Sequence, residues 1–302
     1  MLILTLAVSD EAGADAFCSE LTTAIDQSVL GEQVLVSRHD RCFIQLHSMQ
    51  GRSNQANLKA DVTAIVAPIL AEYIVHRLEQ PVLKQMIDKY YHDYPPQEAE
   101  EILSFCQVLL NGIPDDPLTD LDPVLLRIAE VTRKSQDYLS GNSYIHVEGF
   151  MRFRLSGYRS ELKDTLDYAV DEFLSNKQYQ EFIGLLKYFV YFQDAKLPEV
   201  HLVHHGGNKY VILDHRLNPI TLTQSEEVVV ETIDRELNYE DMVVSTLISA
   251  SPQHVFIHTR EPDTLSIKTI RQIFEGRTTL CSCCKLCSLM INARKSDVQL
   301  TT

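Results

Sequence analysis

The sequence predicts an α+β fold, and three observations carry that reading. Strand-like and helical patterns alternate over residues 2 to 48, apolar residues recur at helical spacing from about residue 57 to 193, and from Pro198 the apolar period returns to two. The parts expected are a small N-terminal βαββ unit (1–56), a central helical bundle (57–197), a C-terminal mixed sheet with helices and a terminal Cys cluster (198–290), and a flexible tail (291–302). The patterning leaves open whether the first and last parts share one sheet, with the bundle inserted between them.

In the first part, LILTLAV reads as a strand, residues 12 to 27 as a helix through Phe17, Leu21, Ala24 and Ile25, and VLVSRHDRCFIQLHS as a hairpin around His39 and Asp40. In the second, Leu58, Val62, Ile65, Val66, Ile69, Leu70, Tyr73 and Ile74 make one broad apolar face. Asn57 to Tyr91 therefore reads as a long helix that Pro81 breaks or kinks. Pro95 and Pro96, followed by acids, open another helix, which NGIPDDPLTDLDP ends as a loop. Two more helices follow, FRLSGYRSELKDTLDYAVDEFLS and QYQEFIGLLKYFVYFQD. The second is apolar nearly all round its axis, so Phe182, Leu185, Leu186, Phe189, Val190 and Phe192 read as core packing and this helix as the centre of the fold.

In the third part, VHLVHH and KYVILDH pair across Gly206-Gly207-Asn208, and PITL and EEVVVETI supply further strands. NYEDMVVSTLISA reads as a helix with Asn238 at its cap; the adjacent Glu240 and Asp241 read as first-turn acids that suit the helix dipole, ahead of an acid–base pair. HVFIHT, a helix capped by Asp263, and RTTLC form a right-handed crossover with two parallel strands.

A chain of 302 residues with 45% hydrophobic and 23% charged side chains can bury a sizeable core without metal or disulfide. Its 27 basic and 42 acidic side chains leave a formal net charge of −15, which disfavours nucleic acid as a partner. The best basic patch, Arg152, Arg154 and Arg159, reads instead as arginines paired with acids on neighbouring helices. MLILTLAVSDEAG lacks a basic leader and a cleavage site, and the longest apolar run, VTAIVAPILAEYIV, is short of a bilayer span and holds Pro68 and Glu72. A cytoplasmic protein with free or metal-bound thiols and no membrane span is expected.

GFMRFRLSGY at 149–158, YQEFIGLLKYFVYFQ at 179–193, VHLV at 200–203 and LNYEDMVVSTLISASPQHVFIHT at 237–259 resemble the YtxC-like family of spore-forming bacteria, associated by name with sporulation. The resemblance runs from about residue 70 to 290 and is carried by order and spacing. It implies a cytoplasmic protein of the sporulation programme and transfers no activity or site residue. Family members also end with spaced cysteines after a strand, which Cys281, Cys284 and Cys287 resemble.

Those cysteines are the strongest chemical signal. Four of the chain's seven cysteines stand in CSCCKLC, Cys281 to Cys287. The spacing C-x2-C-x2-C lets three thiolates turn toward one ion, whereas Cys283 is adjacent to Cys284, and adjacent cysteines rarely share an ion. A ferredoxin-type run would need a further cysteine where Ile291 stands, so zinc ranks ahead of an iron–sulfur cluster. If HVFIHT and RTTLC are parallel neighbours, His258 and Cys281 share the carboxyl edge of the sheet, which makes His258 the fourth ligand; His254 lies at the other end. Free thiols on a terminal loop, or a redox pair using C-x-x-C beside Lys285, are the competing readings. His201 and His205 share a strand face and could pair on a metal, with Asp214 and His215 opposite, but histidines at the surface or edge of a hairpin are the simpler reading.

No P-loop, dinucleotide fingerprint, G-x-S-x-G or H-E-x-x-H occurs. The expected role is therefore non-enzymatic: contacts with an unidentified protein partner or with a second copy of the chain, with a structural metal on Cys281, Cys284, Cys287 and His258. A thiol-based redox sensor or enzyme, or an iron–sulfur protein, on the same cysteines is the alternative.

Overall fold

The computed structural model describes residues 1–49, 55–112, 122–207, 209–220, 237–281, 284, 286 and 287. Over these the chain is α+β, as its patterning predicts. It divides into two units, Met1–Ser175 and Asn176–Thr302, and the strands among the described residues form two four-stranded sheets. No helix among the described residues is long and apolar enough to cross a membrane.

The first unit opens with β1 (Leu2–Ala7), α1 (Glu11–Asp26) and the hairpin β2 (Val34–Asp40) and β3 (Phe43–Ser48). Asp10 starts α1 because its carboxylate accepts the Gly13 N–H at 2.6 Å, and Phe17, Leu21 and Ile25 then bury one face at i, i+4, i+8. The hairpin turns at Arg41-Cys42 and not at His39-Asp40, because the register slips between Arg38 and Asp40. β1 sits between β3, antiparallel, and β4 (Tyr144–His146), parallel. Sequence patterning does not reveal β4, since three residues are too few to show alternation.

The long helix predicted from Asn57 to Tyr91 is α2 (Gln55–Tyr73) and α3 (Glu79–Tyr90), joined by a π-helical turn at Ile74–Leu78. Pro81 explains the break: it has no N–H for the Arg77 carbonyl, and the backbone upstream widens until Glu79 N–H bonds Ile74 O. α4 (Pro96–Asn111) begins at the predicted prolines. The predicted loop after it lies largely outside the described residues. α5 (Pro123–Gly141) is a helix that the patterning did not assign. Asp122 caps it, accepting the Val124 N–H at 2.8 Å, so Asp122→Ala should cost about 1 kcal/mol in a urea titration.

After α6 (Val147–Phe153), α7 runs unbroken over Ser156–Phe192. Two helices were predicted here, but Ser175-Asn176-Lys177-Gln178 holds neither proline nor glycine, and nothing stops the helix. Its first half is a core element: Tyr158, Leu162, Leu166, Ala169, Val170 and Phe173, with Leu155 just before the helix, are all buried, as their spacing predicts.

In the second unit, β5 (Leu197–His204) pairs antiparallel with β6 (Tyr210–Asp214) and parallel with β7 (Pro252–His258), which pairs parallel with β8 (Thr278–Cys281). α8 (Leu237–Ala250) and α9 (Leu265–Ile273) complete it. The core joins Val200, Leu202, Val255 and Ile257 of the sheet to Val243, Leu247, Ile267 and Ile270 of the helices. The predicted strand EEVVVETI and the side chains of Asn238 and Glu240 lie outside the described residues. α9 starts at Thr264, not at Asp263, whose carboxylate lies 3.7 Å from Lys268. The part of α7 in this unit corrects another expectation. Ile183 and Val190 are buried and Leu186 partly so, one line seven residues apart that covers the core, whereas Phe182, Leu185, Tyr188, Phe189, Tyr191 and Phe192 are exposed.

Candidate metal centre

β7 and β8 are the parallel neighbours expected, and their register sets Cys281 beside His258 at the carboxyl edge of the sheet. Cys284 and Cys287 return to the same point. His258 Nδ1 lies 3.3 Å from Cys284 Sγ and 3.4 Å from Cys287 Sγ; Cys284 and Cys287 Sγ are 3.7 Å apart, and Cys287 and Cys281 Sγ 4.0 Å. All four ligand atoms fall within 4.8 Å of one another. A tetrahedral ion with bonds of about 2.3 Å to sulfur and about 2.0 Å to nitrogen separates its ligands by roughly 3.5–3.8 Å, and the separations among His258, Cys284 and Cys287 and from Cys287 to Cys281 match that spacing to a few tenths of an ångström. Three thiols and an imidazole in this arrangement could hold a metal ion. Cys283 lies outside the described residues.

The neighbours of the four groups prepare them. His258 is buried, and desolvation together with the nearby His201 lowers its pKa, which keeps the imidazole neutral and able to donate a lone pair. Its other nitrogen, Nε2, is 3.1 Å from His201 Nδ1, and His201 Nε2 is 4.0 Å from the Glu199 carboxylate. With Nδ1 bound to an ion, Nε2 would carry the proton and donate a hydrogen bond to His201 Nδ1, a contact of the kind that fixes the orientation of a ligating histidine. The His201 ring is itself stacked on Phe256 at 5.3 Å. Among the thiols, burial pushes Cys287 up to about 11. Burial opposes ionisation of Cys284 too, but hydrogen bonds from the Cys287 and Leu286 N–H groups and from the Cys281 and Cys287 thiols outweigh it and lower its pKa.

The other candidate groups separate from this centre. His201 faces His258. His204, read as one of the surface or edge histidines, is buried instead, with Nδ1 2.8 Å from Thr259 Oγ1, Nε2 2.8 Å from Gly207 O and its ring on Tyr210. His254 contacts Thr279 at the opposite end of β7. Asp214 accepts the Arg216 and Asn218 N–H groups within its own turn. The role of His201 and Glu199 was missed in the sequence. The signal was present in two histidine-bearing strands, VHLVHH and HVFIHT, but it needed β5 and β7 to be parallel neighbours.

The model of the YtxC-like family matches residues 64–279. The chain is also 24% identical over 233 residues to an uncharacterized protein YtxC of Bacillus subtilis (strain 168), a stretch that covers 75% of this chain and 79% of that protein. No solved structure gives a significant match. The family match includes Glu199, His201 and His258 and stops just before Cys281.

Proposed function

The chain belongs to the YtxC-like family, and from that premise we propose a non-enzymatic cytoplasmic protein of the sporulation programme that acts through protein contacts and carries a structural zinc ion on His258, Cys281, Cys284 and Cys287. The observation that carries the zinc assignment is the convergence of four ligand atoms within 4.8 Å. Four protein ligands close the coordination sphere, as in structural sites, where a catalytic ion keeps a position for water or substrate. Mutual separations this short suit one ion and leave little room for an iron–sulfur cluster. The ion would tie the end of β8 and the cysteines after it to β7.

The contact role is supported by the exposed aromatic and aliphatic face of α7. Phe189→Ser should change stability by less than about 0.5 kcal/mol, because the side chain is 53% exposed, while weakening association with the partner or a second copy in sedimentation velocity. Unchanged association would remove this face from the proposal.

A second reading, a thiol-based redox sensor or enzyme, draws on the 3.7 Å separation of Cys284 and Cys287 Sγ and on the hydrogen bonds that lower the Cys284 pKa. Elemental analysis of anaerobically purified protein, with an absorption spectrum and a thiol count, decides between them. One zinc per chain with protected thiols is the expected result. Iron with visible absorbance supports a cluster, and metal-free protein with freely titrating thiols supports the redox reading.

A further inference from the structure

We propose that the first unit binds a small phosphate-bearing molecule in a cleft at the carboxyl ends of β1 and β4, held by Arg77, Arg152 and Arg159. The cleft measures about 610 Å³, within the range of roughly 300–1,000 Å³ usual for small-molecule sites. Its place follows from topology. β1 and β4 are adjacent and parallel, and the carboxyl ends of such strands are where open sheets place ligands. Ser9, after β1, is fastened to Glu148, after β4, by its N–H at 2.8 Å from Oε1.

Three arginines converge on this cleft. Elsewhere in the same unit Arg38, Arg127 and Arg133 pair with acids, and Arg41 and Arg154 form no ion pair among the described residues. Arg77, Arg152 and Arg159 line the cleft and form no ion pair among the described residues. The expected pairing of Arg152 and Arg154 with acids is absent among the described residues; their guanidinium groups lie over the rings of Phe153 and Tyr138. Two acids also line the cleft: Asp10 caps Gly13, and Glu148 holds Ser9 through Oε1, while its Oε2 is buried without a hydrogen-bond partner among the described residues.

A separate observation is Tyr73. It is 3% exposed, its ring is stacked on Phe17 at 4.8 Å, and its hydroxyl, at the cleft, has no hydrogen-bond partner among the described residues. A Cβ at position 13 would stand 2.3 Å from that oxygen, so Gly13 is what admits it. Burial, then the Asp10 and Glu148 carboxylates, push the phenol up to about 12, so at neutral pH it donates. Three guanidinium groups only donate, and their planar forks match phosphate oxygens in pairs. Leu78, Val82 and Met151 add apolar lining for the organic part of the ligand.

Calorimetric titration of the full chain with inorganic pyrophosphate, and with citrate at the same ionic strength, tests this. Pyrophosphate should bind one per chain, and citrate at least about tenfold more weakly. Arg152→Gln and Arg159→Gln should each weaken pyrophosphate binding by about tenfold, and Tyr73→Phe by several-fold, at unchanged circular dichroism. Arg133→Gln, whose parent side chain pairs with Asp137 away from the cleft, should change nothing. The proposal is overturned by no binding at about 5 mM pyrophosphate, by citrate binding as tightly, or by an equal loss in Arg133→Gln.

Discussion

Cys284→Ser and Cys287→Ser proteins are expected to purify without zinc, and amides of β8 to exchange with solvent about 100-fold faster or more, as they do when chelator strips the parent protein. The size follows from where the ion would sit. β8 is a four-residue edge strand with Thr279 and Leu280 exposed, so few apolar contacts hold it to β7. The binding free energy of a structural ion is folding free energy for the segment it ties down, and here that segment has little else. The sheet beneath keeps Val200, Leu202, Val255 and Ile257 fully buried, so the second unit should still unfold cooperatively without zinc. Cys281→Ser should behave like the other two, and Cys283→Ser should retain the ion. His201→Phe should keep zinc but weaken it by about 10–100-fold, because the hydrogen bond that orients His258 is gone. Zinc retained in Cys284→Ser and lost in Cys283→Ser would overturn the ligand assignment.

How far this centre was legible depended on chain order. Cys281, Cys284 and Cys287 announce themselves by spacing, and His258 could be added because a strand, a short helix and a second strand almost always make a right-handed parallel crossover. His201 could not, since its strand reaches β7 by a connection that no local pattern encodes. The same limit hid the cleft in the first unit. It depends on β4, three residues long, arriving beside β1 from more than a hundred residues away. Periodicity also misjudged α7, because apolar residues all round a helix read as burial whether or not a core exists on every side. Short-range rules did best where the physics is local: Pro95 and Pro96 mark the start of α4, and Pro81 marks a disturbance of the helix that the backbone resolves as a π-turn.

That π-turn delivers Glu79 into the interior, and the second large effect is expected there: Arg127→Met should destabilise the first unit by about 3–5 kcal/mol in urea titration. Glu79 is 7% exposed, and its carboxylate accepts from Arg127 Nε at 3.0 Å and Nη2 at 3.4 Å and from the Tyr158 hydroxyl. Arg127 also donates to the Leu110 carbonyl, so one guanidinium joins the start of α3, the end of α4 and the first turn of α5. Burial, then the hydrogen bond to Glu79, raise the Tyr158 pKa far above its usual range, and the phenol stays a donor. Removing Arg127 leaves a buried carboxylate with one neutral donor, and the cost is mainly that of the uncompensated charge. Arg127→Met combined with Glu79→Gln should therefore be less damaging than Arg127→Met alone, with a coupling of about 2 kcal/mol in the double-mutant cycle. Additive losses would mean that solvent reaches the carboxylate and that α3, α4 and α5 are held by their apolar contacts alone.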